Sequence, residues 1–302
     1  MMNSNSALQP RPLPVPSCVL GEGPLWDMAQ QLICWVDIVK GTVHQYTPAS
    51  NSHTVIAVNQ MVGAIGLCTN GHFIAALQNG FGFIDRSSHQ VNMLQDPEQA
   101  LPGNRFNDGK CGPDGGFWAG TMAQDEAPGA GSLYCLQPDL SVIKKIEGVS
   151  ISNGIAWSSD NRIFYYIDTP TQTVAAYDYE MAGGRLSNRR VVIHVPVEEG
   201  FPDGMTIDNE GMLWIAFWGG WKLARWNPHT GKKLLEIGFP VSQVSSCAFG
   251  GKDLQDLFVT TAAEGLTPEE IHRQPLAGSV FVIEHCGFTG LPPFYFGEMA
   301  GR

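Results

Sequence analysis

The chain has 302 residues and a formal net charge of −11, with 43% hydrophobic and only 16% charged residues, 35 glycines and 20 prolines. Nucleic-acid binding requires clustered Lys or Arg to displace counterions, and no such run exists; no apolar stretch is long enough to span a bilayer as a helix. Low charge with frequent turn residues fits many short strands, and a chain of this length buries enough apolar surface to fold without disulfides.

The first twenty residues lack the basic start and continuous apolar stretch of a signal peptide. The seven cysteines form no C-x-x-C pair, and several sit inside apolar runs, where a thiol behaves as a small hydrophobe. A reduced, cytoplasmic protein is therefore expected. Residues 1–17 read as an N-terminal extension, partly flexible or supplying a closing strand. The segment from Pro14 to Leu20 is expected to close the fold as an edge strand, because its prolines suit no interior position.

Short β-rich runs then recur at Ile33-Cys34-Trp35, Phe73-Ile74-Ala75, Phe117-Trp118-Ala119, Phe164-Tyr165-Tyr166, Leu213-Trp214-Ile215 and Leu257-Phe258-Val259, in steps of 40 to 49 residues. Polar–glycine pairs such as Asn70-Gly71, Asp114-Gly115 and Glu210-Gly211 introduce several of them, which suits tight hairpins. Another strand candidate follows each run, for example Thr42 to Tyr46 and Leu223 to Trp226. A period of this length with about four strands predicts an all-β, six-bladed β-propeller with four-stranded antiparallel blades, one domain over residues 1–302. Thr267-Pro268-Glu269-Glu270 carries a capping box and predicts one short helix in a loop of the sixth blade. The eight tryptophans read as packing residues spread through every blade, and most of the eight histidines fall in expected turns.

Three acid-or-amide residues followed by glycine share one phase of the repeat: Glu22-Gly23, Asn153-Gly154 and Asp203-Gly204 each precede an aromatic strand by ten or eleven residues. In a propeller the innermost strands line a central tunnel, so residues at their starts converge on one rim. Two carboxylates and an amide carbonyl are hard oxygen donors and select a cation such as Ca²⁺, Mg²⁺ or Mn²⁺. The third blade offers Asn107 or Asp108, and spacing leaves both open. The second supplies Gly63 and Ala64, the sixth Ser245 and Ser246. Absence of His and Cys from the rim argues against a closed structural zinc site. Asp37 and Asp168 read as hairpin residues, not ligands. Neither a nucleophile elbow nor a dinucleotide fingerprint is present.

Gly21-Glu22-Gly23-Pro24-Leu25-Trp26, Arg105-Phe106-Asn107-Asp108-Gly109-Lys110, Ala119-Gly120-Thr121-Met122, Ile151-Ser152-Asn153-Gly154 and Pro202-Asp203-Gly204-Met205 together resemble the regucalcin–gluconolactonase family, also called senescence marker protein or luciferin-regenerating enzyme-like. The likeness runs from about residue 18 to the C-terminus and includes Ser187-Asn188-Arg189-Arg190, Ser246-Cys247-Ala248-Phe249-Gly250-Gly251 and Arg273-Gln274-Pro275. It implies a propeller lactonase, acting on a sugar lactone, with one divalent cation at the tunnel mouth: Ca²⁺ first, with Mg²⁺, Mn²⁺, Zn²⁺ or Fe²⁺ as alternatives. By the same resemblance Glu22, Asn153 and Asp203 are the metal ligands, Asp203 is also the general base, and Arg105 and Asn107 hold sugar hydroxyls. Animal members carry Glu at a further substrate-contacting position, where this chain has Asp125; the shorter side chain reaches less far, so the expected alternatives are a lost contact, a water bridge, or Glu126 in its place. A calcium-binding regulator without essential catalysis, and a propeller hydrolase of other esters, are the rival expectations.

Overall fold

The computed structural model describes residues 8–300. Six four-stranded antiparallel sheets form a six-bladed β-propeller, as the repeat predicts. The second strands are the aromatic runs, and those at Leu32–Asp37, Phe73–Leu77 and Phe117–Ala123 are buried along their whole length. Both of their faces lie between neighbouring blades, which is why these segments read as continuous rather than alternating apolar runs. Gly71, Gly115 and Gly211 take positive φ in the hairpins that lead into second strands. The short helix is Pro268–Arg273, and both halves of its capping box form.

Tryptophan does not reach every blade: the second and sixth have none. The fully buried Phe73 and Phe258 sit on the second strands of those blades, while Trp35, Trp118 and Trp214 fill the first, third and fifth. Turns do not hold most of the histidines either, since His44, His53 and His194 lie in strands and His272 in the helix. All seven cysteines are buried and free. No helix among the described residues is long and apolar enough to cross a membrane.

Ring closure falls within the 1–17 extension but ahead of the Pro14 to Leu20 segment expected to supply it. The outer strand of the sixth blade is Arg11–Pro12, paired with Val282 and Phe281, and Leu13 adds an N–H···O bond of 2.7 Å to Val280. The segment from Pro14 to Leu20 instead runs from that outer edge to the first inner strand. Pro14 and Pro16 lack an N–H to donate, so the ladder cannot continue through them. Asp37 holds the end of this connector by accepting from the N–H groups of Val19 (2.8 Å) and Leu20 (3.2 Å). Asp168 does the same for Ser150 and Ile151 in the fourth blade. Both carboxylates serve as acceptors for backbone N–H groups, as hairpin residues do.

Because Leu13 is buried by this closure, deleting residues 1–13 removes both a ladder and an anchor. A loss of roughly 2 kcal/mol is expected from the buried leucine alone. Urea unfolding checks it; an unchanged midpoint would show that the ring closes without the outer strand.

Candidate metal centre

The six inner strands are Gly21–Asp27, Val62–Leu67, Asn104–Cys111, Ser152–Trp157, Phe201–Ile207 and Val244–Gly250. Each carries a register shift at the same depth: between Glu22 and Leu25, Val62 and Ala64, Phe106 and Gly109, Asn153 and Ile155, Pro202 and Met205, and Val244 and Ser246. The polar–glycine pairs at the tunnel mouth are therefore β-bulges, which bend a strand and re-aim a side chain. Glycine follows for a steric reason. A Cβ on Gly154 would lie 2.9 Å from the carbonyl oxygen of Asp203 and 2.7 Å from Cβ of Met205 in the next blade. The fourth and fifth inner strands pass so close here that a side chain has no room, whereas a Cβ on Gly23 would meet nothing nearer than 3.9 Å and glycine there answers to a φ of 53°.

The bulges turn Glu22, Asn153 and Asp203 into a cavity of about 300 Å³ at one tunnel mouth, together with Arg105 and Asn107. In the third blade the bulge separates the two alternatives: Asn107 faces this cavity, whereas Asp108 lines a larger cavity of about 500 Å³ at the opposite mouth. Asp125 does not line the metal-side cavity; Glu126 does. The Asp125 carboxylate is taken up in a local turn, accepting from the N–H of Ala127 at 3.2 Å, and Glu126 follows with φ of 58°. Glu126 is thus both the left-handed residue of this turn and the one whose side chain lines the cavity.

Hydrogen bonds fix the amides. Asn107 Nδ2 donates to Asn153 Oδ1 (3.0 Å) and to the carbonyl of Ser152 (2.8 Å), while Asn153 Nδ2 donates to Thr169 Oγ1 (2.8 Å). Thr169 in turn donates to the carbonyl of Pro202 at 2.8 Å. This chain orients Asn153 as an oxygen donor with one lone pair left over. Arg105 Nη1 donates to Asn107 Oδ1 at 2.7 Å and to the carbonyl of Phe106 at 3.0 Å. Both N–H bonds of the Asn107 amide are thus committed within the protein, and only a lone pair of its oxygen remains for a ligand.

Electrostatics sharpen the picture. Burial, then the negative charge of Asp108, pushes the Glu22 carboxyl from 4.5 up to about 8. Asp203 is likewise pushed well above the usual carboxylate range by burial and then by Glu22 and Asp108. Among the described residues Arg105 is the one cation that lines this cavity, and burial lowers its own pKa. Buried carboxylates that raise one another's pKa need a compensating positive charge or a proton. Hard oxygen donors, a fixed amide oxygen and surplus negative charge all fit a divalent cation. No set of three or more His, Cys, Asp or Glu side chains poised to hold a metal occurs among the described residues. The candidate set accordingly depends on the Asn153 amide and leaves coordination positions for water or substrate.

A pH signature follows. A carboxyl whose folded pKa lies above its unfolded value stabilises the fold below the unfolded pKa, and that contribution disappears as pH rises through the folded pKa. Chelator-treated protein is therefore expected to melt at lower temperature at pH 9 than at pH 5, with the Glu22 contribution lost between about 4.5 and 8. Added Ca²⁺ is expected to raise the melting temperature more at the higher pH. An equal gain at both would remove Glu22 and Asp203 from the binding set.

Several lining residues escaped the sequence reading: Thr169, Phe201, Trp218 and Glu264. Thr169 directly follows Asp168, so its neighbour carried a signal that it did not. Glu264 lies in the loop after the second strand of the sixth blade, out of phase with every rim residue, and its pKa is raised by burial and lowered by Arg105. Nothing in the repeat marks it.

A model of the SMP-30/Gluconolactonase/LRE-like region matches residues 20–263. Regucalcin of Gallus gallus is 39% identical over 282 residues, covering 92% of this chain and 94% of that protein. Among solved structures, a calcium-binding protein, regucalcin, from Agrobacterium tumefaciens superposes with a TM-score of 0.91 at 29% identity, covering 96% of this chain and 97% of its own. A luciferin-regenerating enzyme superposes with a TM-score of 0.90 at 31% identity, covering 96% of this chain and all of its own. With most of its length matched by the family model and by relatives of this identity, the chain belongs to the SMP-30/gluconolactonase/LRE-like family.

Proposed function

We propose that the protein is a divalent-metal-dependent sugar lactonase that opens an aldonolactone to the aldonic acid. The observation that carries this reading is the convergence of two buried carboxylates and an oriented amide oxygen on a cavity that also presents the Arg105 guanidinium. Glu22, Asn153 and Asp203 hold the cation, which when bound supplies Lewis-acid polarisation of the lactone carbonyl and charge for the developing oxyanion.

The remaining work falls to the chain. Arg105 uses only Nη1 in its hydrogen bonds, so Nε and Nη2 are left to a ring hydroxyl or carbonyl. Asn107 acts mainly by orienting Asn153 and Arg105. Asp203 takes a proton from water as its oxygen bonds to the carbonyl carbon; the ring C–O bond breaks and the proton passes to the ring oxygen. A cation lowers the pKa of a carboxylate it touches, which weakens a base. Burial and the charges of Glu22 and Asp108 push Asp203 the other way, opposing the effect of the cation.

A purely calcium-binding role, suggested by the name of the Agrobacterium neighbour, has no use for a guanidinium set beside the cation in an open cavity. Hydrolysis of glucono-, galactono-, xylono- and arabinono-lactones, followed at constant pH with protein stripped by chelator and reloaded, distinguishes the two. Rates above spontaneous opening that return with metal support the lactonase. Calcium binding with no such rate on any of the four supports the regulator.

A further inference from the structure

The wall of the metal-side cavity is not uniform. Its floor is polar, its third- and sixth-blade sides carry Glu126 and Glu264, and its fifth-blade side is aromatic, formed by Phe201 and Trp218. Those two residues are directly paired across neighbouring strands and so share one face. Phe201 is 48% exposed although it stands at the edge of a buried charged site. Nearby Trp221 and Val197 are 45% and 75% exposed, so the aromatic wall continues onto the rim.

This edge is held in place. The backbones of Gly200 and Gly220 meet so closely that a Cβ on Gly200 would lie 2.7 Å from the amide nitrogen of Gly220. Four charged groups of the same stretch are tied to one another: Glu199 pairs with Lys222 at 2.5 Å and with Lys233 at 2.7 Å, and Lys233 pairs with Glu236 at 2.7 Å. Glu198 stays exposed beside Val197, while the exposed faces of Phe201 and Trp221 are apolar. Exposed apolar patches that adjoin a polar site mark places where a ligand is covered. A bare aldonolactone ring offers such a wall only one C–H face, whereas an alkyl or aryl substituent covers it more fully.

Resting on the lactonase reading, we propose that the preferred substrate is a hydroxylated lactone bearing an apolar alkyl or aryl substituent, with the ring on the Glu22–Asn153–Asp203 floor and the substituent against Phe201 and Trp218. The test compares D-glucono-δ-lactone with its benzyl ether at the exocyclic hydroxyl. Covering a benzyl group is expected to raise kcat/KM about tenfold. In Phe201→Ala the ratio of the two substrates is expected to fall towards one, and Phe201→Leu to keep most of it. Melting curves check that each variant is folded. A ratio of one or less in the unmodified protein, or a tenfold ratio untouched by Phe201→Ala, overturns the proposal and leaves the lactonase reading standing. Metal-dependent hydrolysis of neither substrate overturns both.

Discussion

Asp203→Asn is expected to lower lactone turnover by ~10²–10⁴-fold, the range for loss of a positioned general base. The amide keeps an oxygen that can face the cation but has no basic lone pair to take a proton, so metal content should survive better than kcat. Asp203 stands inside the bulge between Pro202 and Met205, unpaired in the ladder, and so its side chain is aimed by backbone that an isosteric change does not disturb. Measured metal content and constant-pH titration on the same sample separate the two roles. A variant with metal bound and near-full turnover would transfer the base to another group.

Gly154→Ala is expected to cost about 3 kcal/mol, the upper end for overpacking a close contact. The added Cβ would lie 2.7 Å from Ile167 Cδ1, 2.7 Å from Met205 Cβ and 2.9 Å from the Asp203 carbonyl oxygen. Two of these neighbours belong to the next inner strand and cannot rotate away. Whatever relaxation occurs must push the fourth and fifth blades apart at the point where Asn153 and Asp203 meet, so metal affinity should fall together with stability. Gly238→Ala is the matched control, since a Cβ there meets nothing within 4 Å; it should change stability by no more than about 0.5 kcal/mol. Equal melting temperatures for the two variants would contradict the close-packed tunnel.

How much of this was legible in the sequence depends on whether a residue obeys the repeat. Glu22, Asn153 and Asp203 share one phase and are brought together as that phase predicts. What the spacing did not disclose is that their glycines belong to bulges and not to turns, because both structures use the same residue pair. Spacing left Asn107 and Asp108 open for a related reason, and only the family resemblance chose Asn107: adjacent residues in a strand face opposite ways, and the position of the bulge decides which one reaches the cavity. Asp125 and Glu126 show the limit more sharply. Matching by motif pointed to Asp125 with Glu126 as one alternative, and a turn closed by the Asp125 carboxylate leaves Glu126 to face the cavity. Loop residues such as Glu264 answer to no period at all. Ring closure was misplaced by a few residues because the prolines at 14 and 16 mark an edge without saying which neighbouring residues still donate.

The most direct measurement is a stepwise addition of Ca²⁺ to chelator-stripped protein, with bound metal and hydrolysis of D-glucono-δ-lactone read on the same sample. Activity that rises from the spontaneous rate and saturates at one equivalent, with both responses weakened in Glu22→Gln, is the expected result. Full activity in the stripped protein, or one tightly bound equivalent without any gain in hydrolysis, would contradict a catalytic cation at the tunnel mouth.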